Sequence, residues 1–578
     1  MTDTVVRVGE ADLPAAPYSL GVGAPEGLPT REGSLTTIGS LLEEVAGTAV
    51  LRGLDQSEET VDRSGEVFRL ERNPETYEIS VESDLTLEDY RKTTNPEDLQ
   101  QLLEWAKPLE GNGVVFINPT MEGGGVAMMR PPVVHLMRLL GIDAHWFVME
   151  HTQPNGQEPF IFTKQMHNIS QRVTSERITD EGKALHWQWA DGDNGPVLER
   201  QEVIRAADFI IIDDPQPAPL ISRLKAANPE AELIWRNHID TDGELMADPA
   251  TPQGEVASYL LYGCGVVLAD AVIAHPSESF IHRELNGVTY FSPATLERFD
   301  NLNRELTEAE IHSGIDFINS EIAEKNRQLA LAGEKDVIPL LDTDPKRNRI
   351  TLIARFDPSK RMDIAMEMGV QTRRLMREAG VSEAELPEVV IVGNGSVDDP
   401  DGGPMFEQML ELRRTQYPDE MDGIKIMRLK HNYDAMNALM RRSSILMQTS
   451  EAEGLETRVS DAIVHGKPVV VSNRGGIKTQ VVEGKSGIVL DYDNLDAELA
   501  RGAQFMSNLL LDEVAYKVMV ASTIETAEEL NKREFVTTAN VARFLRIFNN
   551  LLTGKPADKL WKMEDISKAR DEDFTLVT

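Results

Sequence analysis

The sequence predicts an α/β protein made of two tandem halves, each a parallel sheet wrapped in helices, and three observations carry that prediction. From about Gly113 onward, short apolar runs alternate with helix-length amphipathic stretches, the pattern of strands joined by helical crossovers. The alternation pauses once, through a charged and turn-rich segment from Asp336 to Asn348 that includes Pro339 and Pro345, and then restarts. A length of 578 residues with 41% hydrophobic content suffices for two sizeable cores.

The first half should hold strands at Val114 to Asn118, Ala144 to Met149, Phe209 to Asp213, Leu233 to Arg236 and Ala271 to Ala274. The second should hold strands at Ile350 to Ala354, Val389 to Val392, Ile424 to Met427, Ile445 to Gln448, Val469 to Ser472 and Ile488 to Leu490. Two Rossmann-like domains facing each other across a cleft are the economical arrangement. The expected division is an N-terminal extension of unassigned role at 1–86, a first Rossmann-like domain at 87–345 on the acceptor side, a second at 346–534 on the donor side, and a helical tail at 535–578 packing across both. Within the extension, Leu41 to Leu51 is the best candidate helix. The tail is read from the helical spacing of Val541, Phe544, Leu545, Phe548 and Leu551.

Charge narrows the function. Against 96 acidic residues stand 58 basic ones, a net charge of -38, so nucleic acid and anionic membranes are expected to be repelled. An anionic substrate must then meet a local basic cluster. No apolar run reaches the roughly 18 residues that span a bilayer, and the start lacks a basic, then apolar, leader pattern. A cytoplasmic location follows as the expectation. The single cysteine, Cys264, rules out an internal disulfide framework and is read as a small buried residue.

Three segments are candidates for chemistry. After the first strand come Gly123, Gly124 and Gly125 at the start of an apolar helical stretch; such a turn brings backbone amides and a helix start close to a phosphate. Pro131 and Pro132 lie inside that stretch and predict a kink or a delayed helix start. The strand ending at Ala354 leads into Arg355-Phe356-Asp357-Pro358-Ser359-Lys360-Arg361, three cations in seven residues. They fall at the carboxyl end of a parallel strand, where open α/β sheets bind ligands, and form the basic cluster that the charge argument requires. Downstream of Gln448, the run Ser450-Glu451-Ala452-Glu453-Gly454-Leu455-Glu456 opens a helix that should end near Gly466. Its carboxylates suit sugar hydroxyls. Asp-x-Asp triplets occur at Asp240, Asp342 and Asp399, but such spacing arises readily in an acidic chain, and no required metal is predicted.

These residues carry a family resemblance. Asn118 to Val126, Trp146 to Val148, Thr163 to Asn168, Asp214 to Pro217, Trp235 to Asp240, Arg355 to Lys360 and Glu453 to Asp461 occur in the order seen in trehalose synthases. Those enzymes are retaining glycosyltransferases of the GT-B architecture that join nucleotide-activated glucose to glucose. The stretch Val392 to Gly402 also resembles that of retaining trehalose phosphorylases, which share the fold. The resemblance covers roughly Leu87 to Phe548.

By position, the resemblance implies that Arg355 and Lys360 hold the donor phosphate while Gly124, Gly125 and Gly395 close over it. Glu453 would hold the donor glucose, with Leu455 beside it. The second acid of the family's Glu-x7-Glu pattern, which contacts the nucleotide ribose, is Asp461 here. His238 would stand at the reacting centre, so that Arg355, Lys360, His238 and Glu453 form the catalytic set. Arg236, Asp240, Lys164 and His167 would serve the acceptor side. No cofactor is implied beyond a sugar co-substrate, either a nucleotide-glucose or phosphate with glucose 1-phosphate. The expected partners are small sugars and sugar phosphates, and the sequence leaves a homodimer open. Two reactions compete: trehalose synthesis from nucleotide-glucose, and trehalose phosphorolysis to glucose 1-phosphate and glucose. Asp461 and the Asp398 to Gly402 stretch favour phosphorolysis, the Asp214 to Pro217 and Trp235 to Asp240 motifs favour synthesis, and the balance leans to synthesis. A sugar-phosphate-binding regulator without turnover is a third reading.

Overall fold

A computed structural model describes residues 66–566 and 568, apart from 122–124, 152–156, 332, 334–336 and 395–401. Gly124, Gly395 and the candidate helix at Leu41 to Leu51 therefore lie outside the described residues. The expected two-sheet α/β architecture is present. An antiparallel hairpin of β1 (Arg69–Arg72) and β2 (Ile79–Glu82) comes first. The first parallel sheet contains β3 (Gly113–Asn118), β4 (Asp143–Val148), β5 (Phe209–Asp213), β6 (Glu232–Arg236), β7 (Ala271–Ala274) and β8 (Thr289–Phe291), in the order β4-β3-β5-β6-β7-β8. The second contains β9 (Arg349–Ile353), β10 (Glu388–Asn394), β11 (Ile424–Leu429), β12 (Ile445–Gln448), β13 (Val469–Ser472) and β14 (Gly487–Leu490), in the order β11-β10-β9-β12-β13-β14.

Helices on both faces explain why the strands read as unbroken apolar runs. In β3 and β5 the two faces separate by the strand period of two. Phe116, Phe209 and Ile211 enter one core, while Val115, Ile117, Ile210 and Ile212 enter the other. Cys264 is buried in the second of these cores. Three strands escaped the sequence reading: β1, β2 and the three-residue β8.

The helix Gly125–Leu139 corrects the expectation of a delayed start, because it begins at Gly125 and runs through Pro131 and Pro132. The turns around the prolines are buried from Met129 to Met137 and packed on β4, and that packing holds the backbone where two N–H hydrogen bonds are missing. His465 caps the helix Thr457–Val464, and Gly466 follows in the left-handed region at φ +70°, as a helix-ending glycine should.

The chain leaves the first sheet after β8, and the helix Glu308–Leu331 already packs on the helix Tyr433–Arg442 of the second half. The crossing thus lies well before the Pro-containing segment at Asp336 to Asn348. The helix Thr537–Leu552 returns to the first half. Phe548 stacks on Phe209 with ring centroids 4.2 Å apart, and Phe544 meets Phe116 edge-on at 5.5 Å.

Candidate functional site

In each sheet the strand order reverses direction at one strand, β3 in the first and β9 in the second, and ligands of open α/β sheets gather outside the carboxyl ends at that switch. The loops after β3 and β5, and after β9 and β12, converge there on a cavity of about 250 Å³ between the halves. Of the residues singled out by sequence, Gly125, Lys164, His167, His238, Arg355, Lys360, Glu453 and Leu455 line it; Arg236, Asp240 and Asp461 do not.

The loop after β9 is shaped by Asp357. Its carboxylate accepts from the amide and hydroxyl of Ser359 at 2.8 and 2.7 Å, capping the turn Pro358–Lys360. Arg361 then takes a left-handed φ of +46°. This turn sends Lys360 and Arg361 opposite ways. Lys360 reaches Glu453 and, at 2.7 Å, Glu456, whereas Arg361 pairs with Asp363 at 2.9 Å and Glu451 at 3.2 Å and leaves the cavity. Of the three clustered cations only Arg355 and Lys360 therefore face the cleft.

Burial opposes the charge of Lys360, but Glu453 and Glu456 outweigh it and hold the ammonium firmly protonated. The same burial, with Glu456 alongside, pushes the Glu453 carboxyl above the ordinary range. Glu456 goes the other way, because the Lys360 charge overcomes its desolvation. Two carboxylates sharing one ammonium thus divide into an ionised Glu456 and a more readily protonated Glu453.

The opposite wall is built on β5 and β6. Asp213, fully buried, forms an ion pair with Arg130 and accepts from Nε2 of His238 at 3.3 Å. Arg130 lies 4.0 Å from the Phe116 ring centroid. Burial, reinforced by the nearby Arg236 charge, lowers the His238 pKa to about 4, so this imidazole is neutral near pH 7. Arg236 is itself buried and donates to the carbonyl of Pro293 at 3.5 Å; it acts on the site only through its field. Asp214 adopts φ +71°, a conformation costly for a non-glycine residue, and this residue lines the cavity. No sequence signal marks that strain.

The halves also touch directly. Lys164 pairs across the cleft with Asp357, and burial together with the Lys164 charge lowers the His167 pKa to about 3. The backbone amide of Glu453 donates to Asp240 at 3.3 Å. Burial raises Asp240 to about 6 against the opposing charge of Arg172, which also pairs with Asp242. Asp461 points inward: it pairs with Arg458 at 2.7 Å, accepts from Asn303 at 3.0 Å and is 1% exposed. Arg458, not singled out by sequence, lines the cavity in its place.

This arrangement of two facing sheets around a charged cleft defines a GT-B glycosyltransferase. In agreement, residues 116–310 match the family described as trehalose synthase, N-terminal domain, and residues 347–508 match glycosyl transferases group 1. The trehalose synthase of Thermococcus litoralis is 31% identical over 470 residues, covering 80% of this chain and 97% of the relative. The trehalose phosphorylase of Pleurotus pulmonarius is 31% identical over 452 residues, covering 75% of this chain and 57% of the relative; this chain thus spans little more than half of that relative's length. A solved α,α-trehalose 6-phosphate synthase from Burkholderia multivorans superposes with a TM-score of 0.51 at 14% identity, covering 77% of this chain and 99% of the other. The chain belongs to the trehalose synthase and trehalose phosphorylase family. No helix among the described residues is long and apolar enough to cross a membrane.

Proposed function

We propose that the protein transfers an α-glucosyl group with retention between trehalose and phosphate, releasing glucose 1-phosphate and glucose, and that it works as a trehalose phosphorylase. The observation carrying this reading is the inward turn of Asp461. A nucleotide donor asks for a carboxylate acceptor at the ribose diol, and this wall offers the Arg458 guanidinium instead. The geometry therefore shifts the lean from synthesis to phosphorolysis.

In the forward direction a phosphate oxygen attacks the anomeric carbon on the face from which the second glucose leaves. The C1–O bond of the disaccharide breaks, the C1–O bond of glucose 1-phosphate forms, and the phosphate proton passes to the departing oxygen. Arg355 and Lys360 stabilise the phosphate charge as it changes, a preorganised electrostatic role. Glu453 holds the hydroxyls of the transferred glucose, and the backbone of Leu455 borders them. Neutral His238, fixed by Asp213, donates or accepts a hydrogen bond at the reacting sugar without carrying charge. Asp214 and Gln216 face the acceptor glucose, with His167 and Lys164 at the rim. No carboxylate nucleophile is needed for this same-face route.

Synthesis from nucleotide-glucose is the second reading, favoured by the near-complete coverage of the archaeal trehalose synthase. The two separate in one assay. Trehalose with inorganic phosphate should yield glucose 1-phosphate, and glucose with each nucleotide-glucose should yield no trehalose. The opposite result overturns the phosphorolysis reading, and inactivity in both arms would leave a sugar-phosphate-binding regulator.

A further inference from the structure

Arg458 sits second in the helix Thr457–Val464, on the cavity wall, with its side chain 14% exposed. One side of its guanidinium is fixed by Asp461 at 2.7 Å, and Asp461 is fixed in turn by Asn303 at 3.0 Å. The other side is poorly matched. Nη2 finds the hydroxyl of Thr457 at 3.3 Å and the thioether of Met128 at 3.6 Å, both weak acceptors for a buried cation. A guanidinium carries five donors in a planar fork suited to an oxyanion. The same cavity receives Arg355 and Lys360, and Lys360 already shares its charge with two carboxylates.

We infer that Arg458 is the residue that selects free phosphate as co-substrate, gripping its oxygens in the cavity that Arg355 also lines, and that Asp461 is its positioning residue. The inference deepens the phosphorolysis reading and rests on it. The acid that in the family pattern would receive a ribose hydroxyl is spent on aiming an arginine, so the wall changes from a hydroxyl-binding surface to an anion-binding one. On that edge the hydrogen bonds go to Met128 and Thr457, while Glu456 and Asp300 act on the guanidinium through their charge.

The test compares the wild type with Arg458→Met, Arg458→Lys and Asp461→Asn. Calorimetry with inorganic phosphate alone and with trehalose alone is run beside KM values for both in phosphorolysis. Losing a charge-assisted contact predicts phosphate affinity about tenfold to a hundredfold weaker in Arg458→Met. Trehalose affinity should stay within about twofold, Arg458→Lys should recover part of the loss, and Asp461→Asn should fall between. Unchanged phosphate affinity in Arg458→Met overturns the inference, as does an equal loss for trehalose and phosphate, which marks a structural role. A wild type that does not bind phosphate overturns it too. If phosphorolysis is active in the wild type and indifferent to Arg458, only the inference falls. If phosphate binds through Arg458 but no phosphorolysis occurs, the reaction reading falls and the anion site stands.

Discussion

In the first half one buried pair is neutralised inside the half, Arg130 by Asp213 beneath the imidazole of His238, while Lys164 reaches across to Asp357. In the second half the corresponding charges sit at the surface of the cavity, where Lys360, Arg355 and Arg458 can meet a ligand. The two sheets share a plan yet use charge differently. A buried pair costs much to break and adds little net stability, so its value in the first half is to hold a neutral imidazole at a fixed angle. Under the proposed function, the cavity-facing network of the second half meets a phosphate charge that arrives and leaves.

That contrast can be broken in order of effect. Asp213→Ala should be the most damaging change to stability, since it strands the fully buried Arg130; a loss of about 3–5 kcal/mol is expected from denaturant unfolding. Arg355→Ala should leave the unfolding transition nearly unmoved and lower kcat/KM by about a hundredfold to a thousandfold, the scale for losing one preorganised stabilising group. If the two variants exchange these phenotypes, the division of labour between the walls is wrong.

Gly454→Ala tests where the halves meet. A Cβ there would come within 2.3 Å of the His238 carbonyl oxygen and 2.4 Å of the His275 ring, so the loop must retreat from the first half. Overpacking of about 1–3 kcal/mol should appear as a KM increase of about tenfold, with the radius of gyration from small-angle scattering rising slightly. The smallest effect concerns pH. The His238 pKa in the fold, about 4, lies below its ordinary value of 6.5, so the unfolded chain binds this proton more readily. Its contribution to stability is complete above about pH 6.5 and is lost as the pH falls toward 4. An NMR titration should place the His238 inflection near 4, and an inflection near 6.5 would show that the imidazole is not enclosed.

Legibility from sequence followed burial. The strands β5, β7, β12 and β13 were readable to the residue because parallel strands buried on both faces are continuous apolar runs. The hairpin β1–β2 carries polar residues on its open face, and β8 is too short to show a period. In the site, His238, Lys360 and Glu453 stand at strand ends where chemistry is expected, and the fold brings them together around one cavity. Arg458 and Asp461 are a helix pair three residues apart, and nothing in their spacing says which one faces a ligand. Arg130 left only an ambiguous trace. It lies in the run Val126 to Leu140, which also holds His135 and Arg138, and an aspartate closes the otherwise apolar Phe209 to Ile212; the sequence does not say which cation that aspartate meets.

The docking of Thr537–Leu552 on β3 and β5 has a consequence for synthesis of the chain. The last strand of the first half, ending at Phe291, emerges from the ribosome more than two hundred residues before the helix that covers Phe116 and Phe209. Until then one face of its sheet stays open, an invitation to aggregation that chaperones answer. Truncation just before Thr537 should therefore yield insoluble protein, although every cavity-lining residue would still be present.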